Sequence, residues 1–223
     1  MKQRSLWDGI APDYYDELMH PTTAALRRAS EHAMTAWFAT SHIPYGIAVE
    51  VGAGRPIAPS VLTESYTLAV ATDISLSMLS YAEPLSDSPR LVASACALPF
   101  ATASVAVVIA SLGAPYNEGA FWAEVGRVLV RGGIAAFTAP AFEWALRDRA
   151  ISGCQHSSTS MATYLVDGQP QPLVSIVRSK DDQSDLIFGV GLDLRHSSTV
   201  ADPATISGSS ALVDLYIAVS QGH

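Results

Sequence analysis

The chain has little positive charge. Its 223 residues carry 13 Lys and Arg against 21 Asp and Glu, a formal net charge of −8. The basic residues are also scattered, the densest group being the pair Arg27-Arg28. A nucleic-acid backbone or an anionic membrane needs concentrated positive charge, so neither is expected as the main partner. Cysteine is scarce. Cys96 and Cys154 stand far apart in sequence, which indicates neither a disulfide framework nor a metal set, and both are expected as buried free thiols. Long apolar runs are missing as well. The longest, Val105 to Ala110, falls far short of a membrane span. The opening residues, Met1 to Asp8, lack the apolar core of a secretory signal, and the cytoplasm is the expected location.

What is present is apolar bulk. With 49% hydrophobic residues the chain closes one sizeable core, and a single domain over 1–223 is expected. The N-terminal part, 1–44, reads as helices. Tyr14, Leu18 and Met19 share a helical face before Pro21, and Leu26, Ser30, Ala33, Met34, Trp37 and Phe38 form a second stripe, with Thr22 or Thr23 as its cap. Strands are expected at 47–51, 68–72 and 91–94, separated by helices near 60–66 and 75–82. Val105 to Ala110 is β-branched and apolar on both faces, as a central parallel strand is. Phe121, Val125, Val128 and Leu129 make the next helical stripe, ended by Arg131-Gly132-Gly133 before a strand from Ile134 to Thr138. Strand alternating with helix from 47 to 138 is the mark of a doubly wound α/β fold with a mainly parallel sheet. Beyond it, 152–160 reads as loop, 181–190 as helix, and 192–197 and 212–220 as closing strands.

The chemistry starts at Val49-Glu50-Val51-Gly52-Ala53-Gly54-Arg55-Pro56, where a buried strand ends in an acid and two glycines. Glycine takes positive φ and has no Cβ, so a nucleotide-like cofactor can approach the backbone N–H groups of such a turn. A dinucleotide fingerprint needs a third glycine for close helix packing, and that position is Ile57.

Four further segments accompany this turn in order: Trp7-Asp8-Gly9-Ile10-Ala11-Pro12-Asp13-Tyr14, Asp73 at the end of the second strand, Ala97-Leu98-Pro99-Phe100, and Glu124 to Gly133. In this set the chain resembles the class I S-adenosylmethionine-dependent methyltransferases, of the type acting on small molecules. The resemblance implies a Rossmann-like sheet of seven strands with an antiparallel final strand, a cofactor-binding core over 45–140, and a substrate-side insertion with closing strands over 141–223. It implies S-adenosyl-L-methionine as cofactor, with Glu50, Gly52, Ala53 and Gly54 at its methionine end. Asp73 would take the ribose, Ile74 and Met78 flank the adenine, Ala95 and Cys96 reach the adenine's polar edge, and Ser111 lies near the amino-acid moiety or the sulfonium. Tyr14, or Tyr15 in the neighbouring register, would cover the cofactor. The chain departs from the family at Pro56, Ser94, Ala106 and Arg131, which keeps a binding protein without methyl transfer as the alternative. The acceptor is expected to be a small organic molecule methylated on O, N or C. No catalytic residue is assigned firmly. The candidates for a base are Tyr14, Tyr15, His20, Tyr116 and His156, and no metal is expected.

Overall fold

The computed structural model of the protein describes residues 2–62, 66–80, 88–151, 159–166, 169–204 and 211–222. Its centre is a seven-stranded sheet built from β1 (Gly46–Val51), β2 (Tyr66–Asp73), β3 (Arg90–Val92), β4 (Val105–Ala110), β5 (Leu129–Pro140), β8 (Leu192–Val200) and β9 (Val213–Ser220). The strand order is β3-β2-β1-β4-β5-β9-β8. Strands β1 to β5 pair in parallel, while β9 runs antiparallel to both β5 and β8. This is the Rossmann-like methyltransferase arrangement that the resemblance implied.

Period-two alternation explains how one sheet makes two cores. Val49 and Val51 of β1, Phe137 and Ala139 of β5, and Tyr216 and Ala218 of β9 face one side. There they meet Phe121, Trp122, Val125 and Val128 of α5 (Gly119–Val128) and Ile187 of α7 (Lys180–Phe188). Ala48, Ile134, Ala136, Leu215 and Ile217 face the other side. Ala33, Met34 and Phe38 of α2 (Pro21–Phe38) and Val61 of the short α3 (Ala58–Val61) cover them. Trp122 and Phe137 are fully buried, each contributing about 1.5–3 kcal/mol of hydrophobic stabilisation.

The N-terminal helix departs from its expected extent. Helix α1 (Lys2–Tyr14) stops before Leu18 and Met19, both of which are exposed. Asp16 causes the stop: its carboxylate accepts from the backbone N–H groups of Leu18 (2.8 Å) and Met19 (3.2 Å), offering the chain a turn instead of a helix. Helix α2 is entered through His20 with Pro21 in its first turn, rather than capped by Thr22 or Thr23. Helix α3 ends earlier than expected among the described residues, and α4 (Leu76–Ser80) fills the place expected for a helix near 75–82. Leu129 opens β5 rather than closing α5, and Gly132, at φ 75°, turns the chain within that strand.

The 141–180 region holds more structure than its composition suggests. Helix α6 (Phe142–Ile151) is followed by a hairpin of β6 (Thr159–Val166) and β7 (Gln169–Ile176). The expected loop at 152–160 therefore ends by Thr159, where β6 begins, and its first part, with Cys154 and His156, lies outside the described residues. Among the described residues no helix is long and apolar enough to cross a membrane.

Candidate active site

A parallel sheet places its loops at the C-terminal ends of the strands, and the order reverses between β1 and β4, the point where such folds open a crevice. A cavity of about 500 Å³ lies there. Glu50, Gly52 and Ala53 follow β1 into it, Asp73 and Ile74 come from the end of β2, and Ala93 to Cys96 follow β3. Ser111 and Leu112 enter from β4, and Tyr116 from the 3-10 turn Ala114–Tyr116. The opposite wall comes from α1, α2 and the hairpin, through Trp7, Tyr14, Leu26, Leu173 and Val174.

The turn after β1 is held by its own acid. Glu50 is buried, and its carboxylate accepts from the N–H groups of Ile57 (2.9 and 3.0 Å) and Ala58 (2.7 Å). Burial pushes its carboxyl up to about 8, opposed by those two amides. Asp73 braces the same turn from β2, accepting from Gly54 N–H (3.0 Å) and Ser75 N–H (2.9 Å). Burial likewise pushes the Asp73 carboxyl above the ordinary carboxylate range, against the pull of the same backbone donors.

Both glycines have positive φ, 61° at Gly52 and 45° at Gly54. The space a Cβ would need is filled by tyrosine. A Cβ on Gly52 would fall 2.7 Å from the Tyr116 hydroxyl, and one on Gly54 would collide with the hydroxyl of Tyr15. Tyr116 donates to the carbonyl of Val51 (2.7 Å), and burial keeps its phenol well above the ordinary range. Tyr15 accepts from Arg55 N–H (2.7 Å), and burial pushes its phenol to about 12. Gly54 itself is thereby screened and is not part of the cavity wall.

A chain of hydroxyls secures the end of β4. Ser30 lies 2.7 Å from Ser111 and 2.7 Å from Thr138, and Thr138 accepts from Leu112 N–H (2.9 Å). Leu112 takes φ 54°, a left-handed conformation that costs a branched residue about 1–2 kcal/mol, and Thr138 helps to hold it.

The two downstream sequence segments meet in space. Glu124 and Arg127 of α5 form a doubly hydrogen-bonded pair (2.6 and 2.7 Å). Glu124 accepts from Leu98 N–H (2.6 Å), and Arg127 donates to the carbonyls of Phe100 (2.9 Å) and Leu98 (3.2 Å). The pair thus fixes the loop that carries Ala95 and Cys96 to the cavity. Cys96 is exposed there, not buried in the core as expected, because Ser94 draws the Cys96 N–H into a tight turn (3.2 Å).

Of the expected site residues, Tyr14, Tyr15, Glu50, Gly52, Ala53, Asp73, Ile74, Met78, Ala95, Cys96, Ser111 and Tyr116 come together on this cavity. His20 stands at the start of α2, outside the cavity wall. Sequence reading missed Arg27, Arg55 and the hairpin residues. Arg55 lay in plain view beside Gly54, and the signal for the hairpin was the Asp167-Gly168 pair in the sequence.

A family model described as a methyltransferase domain matches residues 49–137, which span β1 to β5. Over that span the chain is similar to the methyltransferase-domain family. Solved structures share its fold. The domain resembles the Haloferax volcanii chain solved in complex with the Trm112 methyltransferase activator, at 18% identity and TM-score 0.70, over 97% of this chain and 98% of that one. An S-adenosylmethionine-dependent methyltransferase from Mesorhizobium loti follows at 14% identity and TM-score 0.63, covering 87% and 99%. The 1,6-didemethyltoxoflavin-N1-methyltransferase of Burkholderia thailandensis, solved with 1,6-didemethyltoxoflavin and S-adenosylhomocysteine, gives 14% and 0.62 over 98% and 87%. At such identities the likeness is one of fold. No curated protein matches the chain by sequence.

S-adenosylmethionine is the cofactor that the resemblance implies. The residues present fit it: a crevice at the strand-order reversal, a turn of two positive-φ glycines, and the Asp73 carboxylate on the wall.

Proposed function

We propose that the protein transfers the methyl group of S-adenosylmethionine to a small organic acceptor at an O, N or C atom. The observation that carries this reading is the cavity's double lining. One wall holds the glycine turn, Asp73, Ile74, Met78 and Ala95; the facing wall, from α1, α2 and the hairpin, sets apolar Trp7, Leu26, Leu173 and Val174 beside polar Thr23, Arg27, Arg28 and Glu31. Its volume of about 500 Å³ suits a small-molecule site rather than a groove for a polymer.

When bound, the sulfonium supplies an activated methyl group. The chain's own work is then positioning. Asp73 would accept from the ribose hydroxyls, exchanging its present amide partners in part, and Gly52 and Ala53 would receive the methionine end beside Glu50, with Gly54, screened by Tyr15, shaping the turn behind them. Ile74 and Met78 pack on the adenine, whose polar edge meets Ala95 and Cys96, while Ser111 lies by the amino-acid moiety. Tyr14 and Tyr15 cover it. Holding an acceptor in line against the methyl group supplies much of the acceleration without a base. Tyr116 is assigned to shaping the pocket, since its proton is bound to Val51 and its phenol stays neutral. The departure at Ala106 does not touch the site: that residue is buried in the sheet.

Incubating the purified protein with methyl-labelled cofactor and small-metabolite extracts tests the reading. Label transferred to a small molecule is the expected result. Saturable cofactor binding without transfer to any fraction would favour the binding protein instead.

A further inference from the structure

Three arginines line the cavity, and they are not equivalent. Arg28 is neutralised: it pairs with Asp202 (2.9 Å) and Glu17 (3.3 Å). Arg27 and Arg55 have no ion pair among the described residues. Both guanidinium groups lie over the ring of Tyr15 instead, 4.5 and 4.9 Å from its centroid. The carboxylates around them have other partners. Glu31, one turn along from Arg27, accepts from the Ser60 hydroxyl (2.9 Å), Asp73 from Gly54 and Ser75, Glu50 from Ile57 and Ala58, and Glu17 is with Arg28.

Two cations drawn to one ring repel each other, and a ring quadrupole offsets only about 0.5–2 kcal/mol per contact. Both arginines line the one cavity, and an anion bound there would offset this repulsion, its oxygens fitting the planar donor forks of guanidinium groups. Tyr15, itself on the cavity wall, is the ring on which both groups are held there.

We propose that Arg27 and Arg55, stacked on Tyr15, form a receptor for one carboxylate- or phosphate-type anion of a bound small molecule. This rests on the methyltransferase reading for the identity of the molecule. Two sources offer that chemistry: the amino-acid carboxylate of the cofactor, and an acidic group on the acceptor.

The test is calorimetry on the wild type, Arg27→Gln, Arg55→Gln, and the charge-retaining Arg27→Lys and Arg55→Lys, each first shown to keep the wild-type melting temperature. The probes are S-adenosylhomocysteine, its decarboxylated analogue, and benzoate or inorganic phosphate added to protein with and without S-adenosylhomocysteine. A loss of tenfold or more for S-adenosylhomocysteine in the Gln variants, absent for the decarboxylated analogue, supports the receptor and assigns it to the cofactor. Unchanged S-adenosylhomocysteine affinity with a tenfold loss for benzoate or phosphate supports it and assigns it to the acceptor. In either case the Lys variants recover part of the loss. If the wild type binds no S-adenosylhomocysteine but binds the small anions through these arginines, the methyltransferase reading fails and the receptor stands. If neither Gln variant changes affinity for any probe, the receptor is refuted.

Discussion

Glu50 gives the most direct handle on the turn that shapes the site. It is buried, its two oxygens take N–H bonds from Ile57 and Ala58, and one of them, Oε2, receives both donors within 2.9 Å. Gln at this position keeps one oxygen, which can occupy the Oε2 place and hold both bonds. Glu50→Gln is therefore expected to cost no more than about 1 kcal/mol, whereas Glu50→Ala strands two buried donors at about 1–3 kcal/mol each. The pH dependence separates the variants further. The folded carboxyl titrates at about 8, above its ordinary value of 4.5, so between those limits the folded state holds a proton that the unfolded state has lost. Stability then falls as pH rises through this window, at up to about 1.4 kcal/mol per pH unit, a few kcal/mol in all. Urea denaturation followed by tryptophan fluorescence at pH 5, 6, 7 and 8 reads this out. The wild type should lose stability relative to Glu50→Gln across the series. A constant difference between the two would show that Glu50 is ionised throughout and that the amides outweigh burial.

Three further outcomes follow from the same geometry. Arg127→Ala frees the 94–100 loop from α5 and should cost about 1.5–3 kcal/mol, the value of hydrogen bonds to a charged group, in urea denaturation; a change within 0.5 kcal/mol, roughly the scatter of a neutral surface substitution, would deny the brace. Gly54→Ala places a Cβ against Tyr15 at φ 45° and should both destabilise the fold by at least about 1 kcal/mol and lower S-adenosylhomocysteine affinity; wild-type behaviour in both would contradict the packing of Tyr15 on the turn. Tyr116→Phe removes the bond to Val51 but no base, so turnover should fall less than about tenfold, near the 1 kcal/mol of one hydrogen bond, with its pH profile unchanged; a loss of the basic limb of that profile would make Tyr116 the base.

The strands of the sheet were legible because a parallel core needs apolar, β-branched residues on both faces, and Val105 to Ala110 declares itself in that way. Asp73 was picked out by the family resemblance at the end of the second strand, and it lies on the cavity wall. The end of α1 was not, since the apolar spacing of Leu18 and Met19 mimics a helix and only the local bonds of Asp16 overrule it. Cys96 was misjudged for a related reason: hydrophobicity argued for burial, but a tight turn set its position. The hairpin on the cavity pairs Thr159 with Ile176 through Val166 with Gln169, and its cue in the sequence is the Asp167-Gly168 pair between those segments rather than a hydrophobic period. Arg27 and Arg55 lie 28 positions apart in sequence, and only the fold brings both onto the ring of Tyr15.

The central claim is that this cavity binds S-adenosylmethionine through Asp73. Titration calorimetry of S-adenosylmethionine into the wild type and Asp73→Ala tests it, with urea denaturation confirming that the variant is folded. Saturable one-to-one binding, weakened in the variant by roughly 10- to 150-fold, the equivalent of about 1.5–3 kcal/mol for a charge-assisted hydrogen bond, is the predicted result. No saturable binding to the wild type, or equal affinity in both proteins, would contradict it.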